Sequence, residues 1–442
     1  MSFVGSVLGR RGPALEWQRH LRREATLPRM DRVGRSRLLR ALPPIAVTLA
    51  IFALAPAGSY VTSWARSMPS VAIPLLSAAF LLAATGFLIW AVRRMRFQLA
   101  RRLPWVLTAI GLVALQQLLS ERGTALERTV ERMHFLLFGA LAAATFLALR
   151  PPSRRADESP PGGRATAGLT LVVVAWVAVL DELLQDLLMA RTGDAFDVGL
   201  NLFSGLIGVI ASAGLFPMRW SGAAPRRRWR TALWLLVPLP LLLALFLESA
   251  HLGSRIEAKG LGVFHSFYSS AAALERANRD RQRRWQRRLP PQPPFEWWVL
   301  QDDFLVEGGW HVHARNLALE QGDLETVWIE NTIVERFYSA MLDAPFPEDR
   351  HPYRLKSWDL ERLNAAGIGA GALPRAQDVE GGRVISRADR GRIWVSPSRA
   401  QTWSSAIVLS LVAGFFARSR RAGTSGERAS AAAAAGSRAA RR

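Results

Sequence analysis

The sequence predicts an all-α polytopic membrane protein with about eight transmembrane helices and a small α+β extracytoplasmic domain between the last two spans. Half of the residues are hydrophobic, and they are gathered in long uninterrupted blocks. The charged residues, mostly arginine, fall in short runs between these blocks. One long polar segment, residues 250–400, separates the last two blocks. Apolar blocks bounded by short basic runs are typical of membrane proteins.

Each predicted span approaches the length needed to cross a bilayer core of about 30 Å, which takes roughly 20 helical residues. The spans are predicted at residues 41–61, 71–92, 103–120, 133–149, 167–189, 197–217, 231–249 and 401–417. The last is the shortest, and Trp403 and the arginines that follow it are expected to anchor it at the membrane interface.

The orientation follows from the arginine-rich connections, which alternate with less basic ones. The arginine-rich segments are residues 1–40, 93–102, 150–164, 219–230 and 418–442. Because arginines next to a span resist translocation, we expect these segments and both termini in the cytoplasm. Residues 250–400 are then outside the cell membrane, despite their own basic patch, since long loops escape this rule.

The predicted domains follow the same order. They are a basic cytoplasmic N-terminal segment (1–40), two N-terminal spans (41–102), a four-helix transmembrane domain (103–217), a cytoplasmic loop with the seventh span (218–249), the extracytoplasmic domain (250–400), the last span (401–417) and a disordered cytoplasmic tail (418–442). The tail is rich in alanine, serine, glycine and arginine, and it lacks the apolar surface that a folded domain needs.

Composition argues against nucleic-acid binding and excludes cysteine-based chemistry. The net charge is +22, but no basic run is interleaved with stacking aromatic residues, so we expect the lipid bilayer and not nucleic acid as the partner. The absence of cysteine excludes disulfides, thiolate chemistry and cysteine-ligated metal sites. We predict no cofactor, and the sequence does not indicate an oligomeric state.

Polar residues are concentrated in three consecutive predicted spans. Ionisable groups cost about 2.5 to 3.5 kcal/mol at the centre of a membrane helix, so those retained usually face the bundle interior or a water-filled cavity. Spacings of three or four residues place each group on one helix face, and the alternating topology brings all three groups to the extracytoplasmic side. The groups are Glu131 and His134 in span four, Asp181, Glu182 and Gln185 in span five, and Asp197 and Asn201 in span six.

Two further features complete the predicted pocket. Arg191 lies in the short connection after span five, where its guanidinium is expected to lie over the carboxylates and compensate their charge. Gly205 and Gly208 follow along span six and permit close approach of neighbouring helices.

These residues resemble the signature of a known family. Asp181-Glu182-x-x-Gln185, Arg191-x-Gly193, Asp197, Asn201, Gly205 and Gly208 are similar to the pattern of VanZ-like membrane proteins, and Glu131-x-x-His134 resembles that family's acidic-x-x-His pair. The resemblance covers residues 103–217. It implies a cell-envelope role, of which reduced susceptibility to lipoglycopeptide antibiotics such as teicoplanin is the known example. The expected ligands are a lipid headgroup, a cell-wall precursor or the antibiotic itself, and no catalytic reaction is established.

The residues leave three alternatives open. The charges can form a packing network that fixes helix register. They can belong to an enzyme in which Asp181, Glu182 and His134 act on a phosphorylated or glycosylated lipid with Arg191 stabilising negative charge, although no nucleophile or metal motif is recognisable. They can serve a proton-coupled transporter, although inverted repeats and broken helices are missing.

The extracytoplasmic domain is predicted to mix helices with a little β structure. We expect a basic helix around residues 279–288, an amphipathic helix over residues 325–342 and a short hairpin over residues 383–396. Glu307, His311 and His313 form a weak metal candidate, because His-x-His on a strand places two imidazoles on one face. No third ligand stands at a diagnostic spacing, so a core or surface histidine pair is the preferred interpretation.

Overall fold

The chain is a multi-pass helical membrane protein with a small two-stranded sheet. Its computed structural model describes residues 32–67, 99–119, 125–151, 161–188, 192–216, 218–220, 226–291, 300–367 and 384–439, together with Leu82, Gly86 and Arg93. Within these residues five helices are long and apolar enough to cross a membrane. They are Leu38–Ala57, Gly163–Leu187, Ala195–Leu215, Arg227–Ala250 and Arg399–Ser419.

The membrane-domain helices follow the predicted order. They are α1 (Arg32–Ser67), α2 (Leu99–Leu119), α3 (Ala125–Leu149), α4 (Gly163–Leu187), α5 (Ala195–Leu215), α6 (Arg226–Leu236), α7 (Leu239–Ala250) and, after the polar segment, α13 (Arg399–Ala439). Helices α6 and α7 form one span, interrupted at Pro238, because proline has no N–H to continue the helical hydrogen bonds.

The remaining three of the eight predicted spans stay predictions. The spans predicted at 103–120 and 133–149 lie on α2 and α3, whose described apolar parts are the shorter segments Arg102–Leu115 and Phe135–Leu149. The span predicted at 71–92 lies outside the described residues, apart from Leu82 and Gly86.

Helix α5 lies at the centre of the bundle and packs against α2, α3 and α4. Two of its glycines make these approaches possible. A Cβ atom added at Gly208 would lie 2.5 Å from the carbonyl oxygen of Gly139 on α3, and one at Gly205 would lie 2.5 Å from a methyl group of Val174 on α4. The side chains around this contact, among them Phe138 and Phe146, are almost fully buried.

The segment between α7 and α13, called the inter-span domain (residues 250–400), folds around its own core. It contains β1 (Ser254–Ala258), β2 (Gly262–Ser266), α8 (Ala271–Trp285), α9 (Asp303–Gln321), α10 (Leu324–Phe337), α11 (Ser339–Leu342) and α12 (Ser357–Ala365). The two strands pair antiparallel, with Ile256 opposite Phe264. Both side chains enter an aromatic core that α8, α9 and α10 complete.

Two predictions about β and helical structure in this domain need correction. The hairpin predicted over 383–396 is wrong, because Val384 bridges to Val263 and Trp394 to Leu252 instead of the two segments pairing with each other. The hairpin that does form, β1 and β2, joins two strands of five residues each and was not predicted. The amphipathic helix expected over 325–342 is divided into α10 and α11 at Tyr338.

The C-terminal tail also differs from the prediction. Residues 418–442 were expected to be disordered, whereas α13 continues as a helix to Ala439. The physical reason lies in composition, since alanine, the commonest residue of this segment, has the highest intrinsic helix propensity of all residues. The span predicted at 401–417 is the apolar first half of this helix.

Candidate functional site

Four of the predicted polar residues lie together at the end of the bundle where α4 ends and α5 begins. Asp181, Glu182 and Gln185 come from α4 and Asn201 comes from α5. None of the four is more than 2% exposed. We call these four residues the carboxylate cluster.

One amide joins the two acids of the cluster. The Gln185 side-chain nitrogen donates at 3.0 Å to Asp181 Oδ2 and at 3.0 Å to Glu182 Oε1. Spacings of four and three residues along α4 make this possible, since such residues share one helix face. Asn201 on α5 approaches the same Glu182 oxygen with its side-chain nitrogen at 3.5 Å, so the cluster spans two helices.

The connection between α4 and α5 is tied to the cluster. The backbone N–H of Asp194 donates to Glu182 Oε2 at 3.2 Å, while the Asp194 side chain caps α5 by accepting from the N–H of Phe196. Gly193 fits between these groups because it has no side chain. A Cβ atom there would lie 2.5 Å from the Glu182 carbonyl oxygen and 2.8 Å from the Phe246 ring.

A small cavity adjoins the cluster. Its volume is about 20 Å³, which suffices for roughly one water molecule. It is lined by Asp181 and Gln185 of α4, Ile51, Leu54 and Ala55 of α1, and Leu137 and Phe138 of α3. A ligand larger than water therefore meets the cluster at its edge, or after the connection has moved.

The other predicted site residues are described only in part. Arg191 lies outside the described residues, and for Glu131 and His134 the description is limited to their place in α3. Asp197 lies in the first turn of α5, half-buried, one helical turn before Asn201. Their part in the pocket stays a prediction.

Sequence reasoning did not single out Asp186 as a site residue. This carboxylate is 6% exposed; it binds the Ser249 hydroxyl of α7 and the backbone N–H of Gly193 in the connection between α4 and α5. Its signal in the sequence was its position one helical turn after Glu182, on the same side of α4. Asp186 is therefore a third buried acid beside the carboxylate cluster, and its hydrogen-bond partners are not members of the cluster.

The histidine pair of the inter-span domain does not lie on a strand, and that premise of the weak metal candidate is wrong. His311 and His313 belong to helix α9, where a separation of two residues directs side chains to different sides. His311 is buried and lies 2.6 Å from a carboxylate oxygen of Glu330. His313 is exposed on a groove of about 530 Å³, where the guanidinium of Arg390 donates to it at 3.0 Å.

Glu307, the third residue of that candidate, has other partners. Its carboxylate accepts from the Ser266 hydroxyl at 2.8 Å, from the Tyr338 hydroxyl at 2.5 Å and from the backbone N–H of Phe267. Burial raises the pKa of Glu307 to about 7, against the opposing effect of these hydrogen bonds. Across the described parts of the chain, no three histidine, aspartate or glutamate side chains are grouped to hold a metal ion.

Comparison of the chain with protein-family models, with curated proteins and with solved structures gives no match. The resemblance to VanZ-like proteins therefore stays a prediction that rests on the residues themselves. The described geometry alone establishes a multi-pass helical membrane protein with a buried carboxylate cluster at one end of its bundle.

Proposed function

We propose that this chain is a VanZ-like integral membrane protein of the cell envelope. In this proposal both termini are cytoplasmic and the inter-span domain is extracytoplasmic. The carboxylate cluster lies near the outer leaflet of the cell membrane and binds a lipid headgroup, a cell-wall precursor or a lipoglycopeptide antibiotic. The observation that carries the proposal is the Gln185 amide, which holds the carboxylates of Asp181 and Glu182 together inside the bundle.

The free-energy cost of burying two acids favours a ligand-binding role for the cluster over a role in helix packing alone. Replacing buried charged groups with apolar residues of similar volume is often neutral or stabilising, so packing gives little reason to keep two acids here. The two carboxylates lie within reach of one amide, and both are at most 2% exposed. Charges retained at such a place in membrane helices usually serve a ligand or an ion.

The chemistry of the cluster indicates what its ligand carries. Carboxylates accept hydrogen bonds, so the cluster suits hydroxyl, amide and ammonium groups. A sugar- or amine-bearing headgroup offers these donors, and Arg191, predicted to lie over the carboxylates, adds a guanidinium that suits an attached phosphate. The small cavity at the cluster implies that only such terminal groups reach it, with the rest of the ligand lying outside in the leaflet.

Exchange of one carboxylate for an amide tests the proposal. We expect Asp181→Asn to reduce the amount of envelope lipid or precursor that co-purifies with the protein by about tenfold or more, since a hydrogen bond to a charged group contributes about 1.5 to 3 kcal/mol. Mass spectrometry of the bound lipids measures the loss. Cells that lack the gene should become more susceptible to teicoplanin, and the variant should not restore their resistance.

Glu248→Gln is the matched control, because Glu248 is an acid near the same end of the bundle, on α7, and its partners Arg399 and Trp403 lie outside the cluster. It should retain the ligand and restore resistance, and both variants should insert into the membrane at the wild-type level. Equal ligand content and equal resistance for Asp181→Asn and wild type would contradict the proposal.

A further inference from the structure

His251 connects the inter-span domain with the bundle. It follows α7 directly and is 2% exposed. Its Nε2 atom lies 2.9 Å from the backbone N–H of Ala195, the first residue of α5, and its Nδ1 atom lies 2.9 Å from the carbonyl oxygen of Arg392. An amide N–H only donates and a carbonyl only accepts, so the ring is neutral with its proton on Nδ1.

The inter-span domain holds this ring in place. Trp394 stacks on it with ring centres 4.5 Å apart and planes 16° from parallel. The backbone N–H of Trp394 also donates to the carbonyl oxygen of His251 at 2.6 Å, and the N–H of Gly253 donates to that of Trp394 at 3.1 Å. The imidazole therefore has a fixed orientation towards α5.

The same segment of the domain holds a second point of the α4–α5 connection. The Arg392 guanidinium donates to the Thr192 hydroxyl at 2.6 Å. Thr192 and Ala195 flank Gly193 and Asp194, and the N–H of Asp194 is the group that binds Glu182. The domain thus fixes both ends of the four-residue stretch whose middle contacts the carboxylate cluster.

We infer that His251 is a positioning residue through which the inter-span domain regulates the carboxylate cluster. The neutral imidazole fixes Ala195, and this keeps the N–H of Asp194 directed at Glu182. Loss of the Nε2 acceptor leaves the N–H of Ala195 without this bond and releases the connection. The effect on ligand binding rests on the proposed function, whereas the effect on the connection does not.

Hydrogen exchange of the peptide that contains residues 192–200 tests the inference on the full-length protein. The first N–H groups of a helix have no partner within the helix, so their protection depends on groups such as His251. We expect exchange at Ala195 to be about tenfold faster in His251→Ala, which corresponds to the loss of one hydrogen bond. His251→Gln offers an amide acceptor and donor in place of the ring and should keep most of the protection.

Rescue by the conservative variant separates positioning from a merely structural role. A positioning role needs only an acceptor directed at Ala195, so exchange in His251→Gln should stay close to that of wild type while His251→Ala loses protection. His265→Ala is the matched control, because His265 contacts Asp389 within the domain, and it should behave as wild type.

The outcomes distinguish this inference from the proposed function. Unchanged exchange at residues 192–200 in His251→Ala, or exchange in His251→Gln as fast as in His251→Ala, would overturn the inference even if Asp181→Asn loses its ligand. Faster exchange in His251→Ala together with unchanged ligand content in Asp181→Asn would support the inference and contradict the proposed function.

Discussion

Substitution of Gly208 by leucine is expected to separate α3 from α5 and to destabilise the bundle by about 3 kcal/mol or more, the upper range for overpacking a close contact. Its Cβ alone would lie 2.5 Å from the carbonyl oxygen of Gly139 and 3.0 Å from the Gly139 Cα atom. Both are backbone atoms, so the helices themselves must move. The apparent melting temperature of the solubilised protein should fall by about 10 °C.

Gly199 provides the matched control on the same helix. A Cβ atom added there meets nothing within 4 Å, and the residue is exposed. Gly199→Leu adds the same apolar side chain to α5, so both variants insert into the membrane equally well, but only Gly208→Leu should melt early. Equal melting temperatures for the two variants would show that the close contact between α3 and α5 does not form.

Glu307 is expected to make the stability of the inter-span domain depend on pH. Its pKa is raised from 4.5 to about 7 in the folded domain, because burial disfavours the charged form. The folded domain therefore binds this proton more tightly than the unfolded chain does. The stabilisation is fully present below pH 4.5 and is lost as the pH rises through about 7. Its size is roughly 3 kcal/mol, at about 1.4 kcal/mol per unit of pKa.

Two variants test this dependence. Glu307→Gln replaces the acid with a neutral group of the same shape, so its melting temperature should exceed that of the wild type at about pH 8 and match it at about pH 5, on either side of the titration. Glu307→Ala leaves the Tyr338 and Ser266 hydroxyls and the Phe267 N–H without their acceptor, and each lost partner costs about 1 to 3 kcal/mol. This variant should destabilise the domain at every pH.

The exposed Glu335 on α10 serves as the control, since its change to glutamine alters charge without touching the core. Scanning fluorimetry over the pH range measures the difference between each variant and the wild type, which cancels groups that titrate in both. Parallel curves for Glu307→Gln and wild type would mean that Glu307 does not titrate in this range.

The contacts of the carboxylate cluster within α4 could be predicted from the sequence, whereas its contact with α5 could not. The bond from Gln185 to Asp181 and Glu182 is local, and the helical period predicts that the three side chains share a face. The contact from Asn201 to Glu182 crosses between helices, and only the packing of α5 against α4 brings them together. Asp186 was missed because a pattern cannot tell which neighbour a helix face will meet.

The His311-x-His313 pattern led to a wrong prediction of a strand. The alternation at His311 and His313 is too short to distinguish a strand from a helix. A longer window of the same stretch shows the helical pattern. Glu307, His311 and Arg315 follow each other at intervals of four residues, which is a helical period, and all three are buried on one face of α9.

The sequence by itself determined the five long apolar helices that the described residues contain. An apolar stretch in a bilayer has to satisfy its backbone hydrogen bonds internally, so its length and hydropathy already imply a helix. The tertiary structure alone decided how the inter-span domain meets the carboxylate cluster. The His251 ring bonds across 56 residues to Ala195 and across 141 residues to Arg392, and such contacts depend on how separately formed elements pack, which no local periodicity records.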